Sequence, residues 1–428
     1  MSKSLHTLGL IACGLKILAG IFYYTGVDIV KESCVTAAGQ NHAKCKNPDE
    51  TLWNRPYFSG ALLFAGMSFT LIPFFIYRNG KPGVPKPSVK VFVNMLIPSM
   101  LEFAGQVLFL MGNKNLTTAL SMTLKGSRVV FSAIFLVIFL KRKLFPFHWA
   151  AAAAVMVGLA VASIPSLIDT DSAKKPGKTT KEILIGIAMV LAGEMLRSLK
   201  GVYEERLLKK LHYDALMVVG LQGLLGFILS VAALFVVDAI QIGGKPLESL
   251  RDSFSQFASA PLVWGISTSL PLTVPALFVM GAYVTKLMSA VHNALTGTIT
   301  TAIVWIISII IHFIDSNRGV KLKWILLVQL LGFIIVVLSS MVYDSMLRLP
   351  FFAYPADRAE ASGAGSTAKT HPSDPDLVVD QETVDIAEAI GFKESDIVDE
   401  SDEEQTTLVG DEPARFIETV SPSVRKRS

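Results

Sequence analysis

Charged and strongly polar side chains interrupt several long apolar stretches of this sequence. A charged group near the centre of a lipid bilayer costs about 2.5–3.5 kcal/mol on insertion scales, so it persists only where it faces protein, water or a partner. We predict that the side chains that stand out for this reason line one water-filled cavity. They are Lys16, Glu102, Lys125, Arg128, Glu194, Lys200, His292 and Asn293.

The spacing of these charges places some of them on common helix faces. At 100° per residue, Lys125 and Arg128 lie about 60° apart, and Glu194 has the same relation to Arg197. Lys200 is the fifth charged residue in these two stretches, and all of the five except Glu194 are basic. A cavity with this excess of positive charge favours an anionic solute such as a phosphate, nucleotide or carboxylate. Arginine can bind such groups through two hydrogen bonds, and lysine attracts them as a point charge.

The same charges also have a purely structural interpretation, in which they neutralise one another. Glu102 could pair with Lys125 or Arg128, and Glu194 could pair with Arg197. Pairs of this kind would satisfy buried charges without any solute. The sequence leaves both interpretations open.

Three of these residues need separate interpretation. Lys200 could extend toward the cytosolic surface along its aliphatic stem. Lys16 has no obvious partner within its own helix. His292 is either a hydrogen-bonded packing residue or a proton-coupling group, because the charge of a histidine changes near neutral pH.

Long apolar segments must position these residues. The chain has 428 residues, of which 51% are hydrophobic and 17% are charged. A bilayer core needs about 20 mostly apolar residues per helix. The sequence therefore predicts an all-α integral membrane protein with ten transmembrane helices, at 8–26, 57–77, 91–112, 117–140, 147–167, 183–204, 214–237, 262–283, 287–313 and 322–346.

The two halves of this region, 8–167 and 183–346, resemble each other. The pattern of 116–127 recurs without gaps at 287–298. Five helices per half would give the halves opposite topology, an inverted repeat suited to alternating access with the solute held near the midplane. Chance similarity among apolar, small-residue-rich helices is the alternative. Further matched positions are Pro98 and Pro271, Trp149 and Trp324, and Gly158 and Gly332.

Charge distribution predicts two domains and an orientation. Residues 1–350 form the transmembrane domain, and 351–428 form an acidic tail with no sustained apolar periodicity, which predicts disorder. Basic density in short loops favours a cytosolic N-terminus, and ten spans then place both termini in the cytosol. Within the tail, 384–392 could fold on a partner, and 404–409 loosely resembles an acidic-dileucine sorting signal, with Val409 replacing the second leucine.

Other function classes are less consistent with the sequence. Basic residues are spread between apolar segments rather than gathered in one patch, which argues against nucleic-acid binding. No metal or cofactor motif occurs, and the scattered histidines argue against an integral membrane enzyme. A scaffold or receptor acting through the tail stays an alternative. The sequence also leaves open a homodimer, and whether Cys34 and Cys45 form a disulfide or two free thiols.

One stretch carries a family resemblance. Residues 193–206 read Gly-Glu-Met-Leu-Arg-Ser-Leu-Lys-Gly-Val-Tyr-Glu-Glu-Arg. This run resembles the sixth helix and following loop of solute carrier family 35, subfamily F type, within the drug/metabolite transporter superfamily. In that pattern a Glu opens the motif and Glu-Glu-Lys/Arg closes it, as Glu194 and 204–206 do here. The continuation at 219–227 also resembles the family's seventh helix, and weaker similarities to its third and fourth helices lie at 98–102 and 124–126.

The resemblance implies a drug/metabolite transporter fold of ten helices in two inverted five-helix repeats. It also implies cytosolic termini and an internal membrane, of Golgi or lysosome-like type. We expect a secondary transporter of a small polar anionic metabolite, working as an exchanger or a proton-coupled carrier. Met122, Lys200 and Gln222 depart from the family's usual Gln, Gln and Glu. These departures leave the solute itself open.

Overall fold

The computed structural model describes residues 3–31, 33–35, 51–53, 55–80, 89–113, 115–116, 120–121, 124–141, 144–168, 179–242, 245–246, 248–267, 269–314, 326–343, 347 and 349–350. The predicted acidic tail and Cys45 lie outside these residues. The predictions about the tail and about a disulfide therefore stay predictions.

Helices dominate the described residues. In chain order they are α1 (Lys3–Lys31), α2 (Pro56–Ser68), α3 (Leu71–Gly80), α4 (Val89–Asn113), α5 (Arg128–Leu140), α6 (Pro146–Ile168), α7 (Thr180–Lys209), α8 (Ala215–Ala239), α9 (Leu250–Ser259), α10 (Pro261–Ser267), α11 (Leu270–Leu287), α12 (Ala290–Ile314) and α13 (Leu326–Tyr343).

Two small antiparallel hairpins accompany the helices. Strand β1 (Cys34–Val35) pairs with β2 (Thr51–Leu52), with Cys34 opposite Leu52. Strand β3 (Gln241–Ile242) pairs with β4 (Lys245–Pro246), with Gln241 opposite Pro246. Each strand has only two residues, so the hairpins shape the loops and leave the helical architecture unchanged.

Each of the ten predicted stretches overlaps a helix or a pair of helices. By length and composition, six described segments can cross a membrane: Thr7–Val27, Pro56–Tyr77, Val89–Asn113, Ala215–Ala239, Pro261–Leu287 and Ala290–Ile314. Two shorter apolar helices lie at Pro146–Ala162 and Leu327–Tyr343. The chain is therefore a multi-pass integral membrane protein.

The fourth predicted stretch differs most from its expectation. The sequence predicts one continuous helix over 117–140, but Lys125–Ser127 form a 3-10 turn directly before the α-helix Arg128–Leu140. Residues three apart nearly eclipse one another in a 3-10 turn. This local winding therefore brings Lys125 and Arg128 onto one side more closely than an α-helix would.

Helix α7 is long and polar, and it begins with a strong local signal. Thr179 accepts a hydrogen bond from the Glu182 amide at 3.3 Å, while the Glu182 carboxylate accepts one from the Thr179 amide at 2.8 Å. This capping box satisfies two backbone donors that a helix start otherwise leaves without partners. The boundary of α7 is thereby fixed, and with it the positions of its inward-facing charges.

Long-range packing joins helices in a regular pattern. Helix α1 packs along α11, and α7 packs along α4. Helix α8 packs along α2, and α6 packs along α13. Helix α12 contacts α1 much as α5 contacts α7. The helices that carry the predicted site therefore surround a common centre.

Glycine pairs permit the closest of these crossings. A Cβ atom added to Gly105 would lie 2.9 Å from the Gly193 carbonyl oxygen, between α4 and α7. A Cβ atom on Gly158 would lie 2.9 Å from the Gly332 carbonyl oxygen, between α6 and α13. Small residues let helix backbones approach within a membrane, where there is no hydrophobic driving force between helices.

The two ends of the helical body pack differently. One end, which we call the sealed end, holds the start of α1, the start of α8 and the end of α11. There Gly223 lies so near α2 that an added Cβ would come within 2.4 Å of the Ser68 amide nitrogen. The Cys13 and Met288 sulfur atoms lie 3.9 Å apart. The opposite end, which carries both hairpins, we call the hairpin end.

Candidate functional site

A cavity of about 560 Å³ lies between the helices. Its walls come from α1, α2, α4, α5, α7, α10, α11 and α12, with the 3-10 turn. On α1 the lining residues begin at Lys16 and continue to Val30, near the hairpin end. The volume lies in the range of pockets that hold small molecules, about 300–1,000 Å³.

Positive charge prevails on the cavity wall. Six basic side chains line it: Lys16, Arg55, Lys125, Arg128, Arg197 and Lys200. Among the described lining residues, the acidic side chains are Glu102 and Glu204. Glu194, fully buried, lies directly behind Arg128 and Arg197. Positive charge therefore remains in excess on this wall even when each of these three carboxylates is matched with one cation.

Glu194 organises the two arginines. Its Oε2 atom lies 2.8 Å from an Arg128 terminal nitrogen and also accepts from Arg128 Nε at 3.0 Å. Its Oε1 atom accepts from Arg197 at 3.1 Å. Charge-assisted bonds with two nitrogens of one guanidinium fix its plane as well as its position. Glu194 therefore acts as the support that holds both arginines toward the cavity.

A second acidic group lies on the neighbouring helix. Glu102 on α4 is 3.5 Å from Arg197 Nε and 3.8 Å from Lys200 Nζ. Lys200 also lies 2.8 Å from Glu204, one turn further along α7. The ion-pair partners of Glu102 within 4 Å therefore come from helix α7, rather than being Lys125 or Arg128. Lys200 is buried and lines the cavity, so it does not extend to the surface.

Aromatic rings face the lysine of the 3-10 turn. The Lys125 ammonium group lies 4.6 Å from the Phe109 ring centroid and 5.2 Å from that of Tyr24. The Arg197 guanidinium lies 5.3 Å from the same Phe109 ring. Cation–π contacts hold a cation in place while its remaining donors face the cavity. They also give the site flat apolar surfaces beside its charges.

Lys16 and Asn293 form a contact across the cavity floor. The Lys16 ammonium donates to the Asn293 backbone carbonyl at 2.5 Å and to the Asn293 side-chain oxygen. Among the described residues, no carboxylate lies within ion-pair distance of this lysine. Its charge is therefore stabilised by neutral oxygen atoms, which leave it attractive to an anion.

Sequence reasoning missed several groups that complete the site. Gln106 accepts a hydrogen bond from Arg197, and it lies one turn beyond Glu102 on the same face of α4. That i, i+4 spacing was the signal that could have identified it. Tyr24 and Phe109 carried no such signal, since aromatic residues in apolar helices are common.

A metal-binding role finds no support in these groups. Within the described ranges, no three histidine, cysteine or carboxylate side chains converge as metal ligands would. The cavity instead presents ammonium, guanidinium, amide and hydroxyl groups, which recognise polar organic solutes.

Comparison with known protein families agrees with this geometry. A family model described as nucleotide-sugar transporter matches residues 87–344, more than half of the chain. The chain belongs to the nucleotide-sugar transporter family. As a member of this family of membrane solute transporters, it is not an enzyme, and the resemblance predicted from 193–206 is confirmed.

Individual relatives of this nucleotide-sugar transporter family member point the same way. Solute carrier family 35 member F6 of Homo sapiens is 25% identical over 344 residues, covering 77% of this chain and 89% of that protein. The Mus musculus protein of that name is 24% identical over 352 residues. UDP-galactose translocator 1 of Caenorhabditis elegans is 24% identical over 255 residues, which is 59% of this chain and 65% of that protein.

The fold is shared with a solved structure. One crystal structure superposes with a TM-score of 0.51 and covers 80% of this chain and 99% of that one. The two sequences are 14% identical, so this similarity concerns the fold alone.

The transporter's predicted site residues thus fall into three groups. Six of the eight line the cavity: Lys16, Glu102, Lys125, Arg128, Lys200 and Asn293. Glu194 lies behind the wall as the support of two arginines. His292 points elsewhere, since its Nδ1 atom lies 2.6 Å from Ser289 Oγ and its ring packs edge-on against Tyr343.

A second ionic cluster lies at the sealed end of the transporter, and we call it the brace. It consists of Glu205 and Lys209, whose charged atoms lie 3.2 Å apart. Glu205 accepts from the Ala290 amide at 2.7 Å, and Lys209 donates to the Met288 carbonyl at 2.6 Å. The brace thereby ties α7 to the end of α11 and the start of α12, outside the cavity.

Proposed function

We propose that this chain is a secondary transporter that carries a small anionic metabolite, of the nucleotide-sugar or organic-anion class, by alternating access. The observation that carries the proposal is the excess of cations over carboxylates on the cavity wall. Burial of such an excess is costly unless a counter-charge arrives. A solute anion supplies that counter-charge.

The polar groups of the cavity suit a two-part solute. Arg128 pairs with Glu194 and Lys200 lies near Glu102, and Lys125 lines the same cavity. Phosphate and carboxylate groups match this side, because guanidinium and ammonium groups bind oxyanions well. A nucleotide sugar joins such an anionic group to a hydroxyl-rich sugar and a flat base.

Neutral polar groups of α12 can serve the other part of that solute. Asn293, Thr298 and Thr301 on α12 face the same cavity. Hydroxyl and amide groups exchange hydrogen bonds with sugar hydroxyls at no charge cost. The name of the Caenorhabditis elegans relative, UDP-galactose translocator 1, makes a nucleotide sugar a reasonable first probe.

We further propose that ten helices form two inverted halves, 8–167 and 183–346. The packing supports this arrangement, because two of the most extensive long-range pairs have counterparts with the halves exchanged: α1–α11 corresponds to α7–α4, and α12–α1 to α5–α7. Gly158 and Gly332, matched in the repeat, contact each other. Equivalent positions meet in this way beside a two-fold axis.

The difference between the two ends suits alternating access. The cavity runs from Lys16 toward Val30, Trp53 and Val263 at the hairpin end. At the sealed end, Leu8 and Ala12 are buried, and Gly9 lies against the Met288 side chain. In this proposal, the sealed end opens and the hairpin end closes during each transport cycle.

Location and topology follow the resemblance to solute carrier family 35. We place the transporter in an internal membrane, of Golgi or lysosome-like type, with both termini in the cytosol. The domain 1–350 transports, as an exchanger or proton-coupled carrier, and the tail 351–428 binds a cytosolic sorting partner. Removal of 356–428 should leave flux in vesicles unchanged, whereas a scaffold acting through its tail would lose its function.

Uptake into proteoliposomes tests the proposed function. The panel contains UDP-galactose, glucose 6-phosphate, pyrophosphate and citrate as anions, with galactose, lysine and a neutral dipeptide as counterparts. We expect uptake of at least one anion, and its loss in Lys125→Ala and Glu194→Ala. Lys181→Ala, at an exposed position on α7, is the matched control. Uptake of neutral or cationic solutes alone, or unaltered anion uptake in both cavity variants, would refute the proposal.

A further inference from the structure

Arg55 is a basic residue on the cavity wall that lies away from the central charges. It precedes α2 at the hairpin end and lines the cavity together with Val30, Trp53 and Val263. Its side chain is 19% exposed, so it lies partly in the protein and partly at the mouth. Arg55 therefore lies nearer the hairpin end of the cavity than the central charges do.

The immediate contacts of Arg55 leave its charge largely uncompensated. Its Nε atom donates to the neutral Gln256 side chain at 3.1 Å. Among the residues that the structure describes, the carboxylate within ion-pair distance is that of Asp252, which lies 4.0 Å away and is 62% exposed. An exposed pair at this distance contributes little, because water screens it. Helix α9, which carries both partners, therefore holds Arg55 in place without neutralising it.

A buried carboxylate at the start of α2 has a structural role there. Glu248 accepts hydrogen bonds from the Tyr57 amide at 3.0 Å and the Phe58 amide at 2.9 Å. These amides are among the unpaired donors at the start of α2, where a negative charge also offsets the helix dipole. Glu248 thus completes a helix cap, and Arg55 is not needed for it.

We propose that Arg55 is an anion-capture residue at the hairpin end of the cavity, where it binds the incoming anion before the solute reaches Arg128 and Lys125. This inference rests on the proposed function, because it concerns the route of the same solute. Capture at the mouth raises the rate of association more than the affinity at the centre. The effect should weaken with salt, since the Debye length falls from about 30 Å at 0.01 M to about 3 Å at 1 M.

Arg251 provides a matched control for this charge. It lies on α9 beside Asp252, is exposed, and is not among the lining residues. A change of Arg251→Gln alters the net charge of the hairpin end as much as Arg55→Gln does. Any difference between the two variants therefore reports the position of the charge rather than its presence.

Association rates of radiolabelled UDP-galactose, pyrophosphate and citrate with the full chain in nanodiscs test the proposal by rapid filtration. For Arg55→Gln we expect a rate about three- to tenfold below wild type at low salt, with the deficit vanishing near 1 M salt. Arg55→Lys should restore most of the rate. Arg251→Gln and Gln256→Ala, which keep the charge of Arg55, should remain within about twofold of wild type.

The outcomes separate this inference from the proposed function. If the wild type binds none of the three anions, both the function and the role of Arg55 are refuted. If the wild type binds an anion and Arg55→Gln associates as fast as Arg251→Gln, only the role of Arg55 is refuted. A deficit that persists at high salt, or that Arg55→Lys fails to restore, would indicate a structural role and would also overturn the inference.

Discussion

Glu204 and Glu205 are neighbours on one helix, both are buried, and each pairs with a lysine one turn away. Glu204 faces the cavity, and its partner Lys200 also lies near Glu102. Glu205 faces the sealed end, where the brace ends on backbone atoms of the α11–α12 junction. The two pairs have the same composition and spacing but different surroundings.

The difference shows that a buried charge in a membrane helix can have either of two roles. In the brace, each charged group meets an opposite charge and a backbone hydrogen-bonding group that a helix end would otherwise leave unpaired. In the cavity, the charges pair incompletely and cations prevail. We therefore expect substitutions in the brace to lower the stability of the fold, and substitutions in the cavity to lower the rate of transport.

Glu205→Gln should produce the largest effect. It leaves the buried Lys209 without its carboxylate, and breaking a buried pair costs about 3–5 kcal/mol. We expect a large loss of folded protein after extraction in mild detergent, measured by size-exclusion chromatography and thermal unfolding. The double variant Glu205→Gln, Lys209→Met should recover part of the stability. A Glu205→Gln protein as stable as wild type would contradict the role of the brace.

Arg128→Gln should mainly impair transport. Its side chain is 36% exposed toward the cavity, so its loss creates little packing damage. Loss of a charge-assisted hydrogen bond costs about 1.5–3 kcal/mol, which corresponds to a roughly 10- to 100-fold fall in Vmax/KM for the anion. The measurement is initial uptake per amount of folded protein. A stable variant with unaltered uptake would exclude Arg128 from solute binding.

Gly223→Ala compares the sealed end with the cavity. An added Cβ would approach backbone atoms of Met67 and Ser68 within 2.4–2.6 Å, so α2 and α8 must separate. Overpacking of this kind costs about 1–3 kcal/mol. Gly297→Ala is the control, because no atom lies within 4 Å of its added Cβ. Thermal unfolding should show a clear loss of stability for Gly223→Ala only; equal losses would mean that the two regions do not differ in packing.

Glu204→Gln should give the smallest effect of the four variants, and it should lower KM rather than raise it. Removing a negative charge from a basic cavity strengthens its attraction for anions, so we expect KM to fall about two- to fivefold. Vmax should fall as well, because the solute leaves more slowly. Thermal unfolding should change little compared with Glu205→Gln. An increase in KM would argue that Glu204 serves binding rather than charge balance.

Part of this arrangement could be predicted from the sequence. The Glu194–Arg197 pair follows from i, i+3 spacing on one helix, and the ten apolar stretches follow from length and composition. The Lys16–Asn293 contact does not follow, because it joins α1 to α12, which are remote in sequence. This contact can be identified only once the packing of the two halves around one centre is known.

Other features depend on tertiary packing that local patterns do not encode. The 3-10 turn at Lys125–Ser127 replaces a helix that the apolar pattern alone favours. The sequence assigns His292 to the cavity because it interrupts an apolar stretch, yet the first turn of α12 directs it toward Ser289 and Tyr343. Neighbouring residues on a helix point about 100° apart, so adjacency to Asn293 carries little information about direction.

The most direct test of the central claim measures KM of Arg128→Gln and Glu204→Gln side by side, with the panel anion that the wild type transports fastest. We predict opposite shifts, with KM higher for Arg128→Gln and lower for Glu204→Gln. Damage to folding cannot imitate this result, because it would impair both variants in the same direction. Shifts in the same direction, or no shift in either, would contradict the account of a basic cavity that carries an anion.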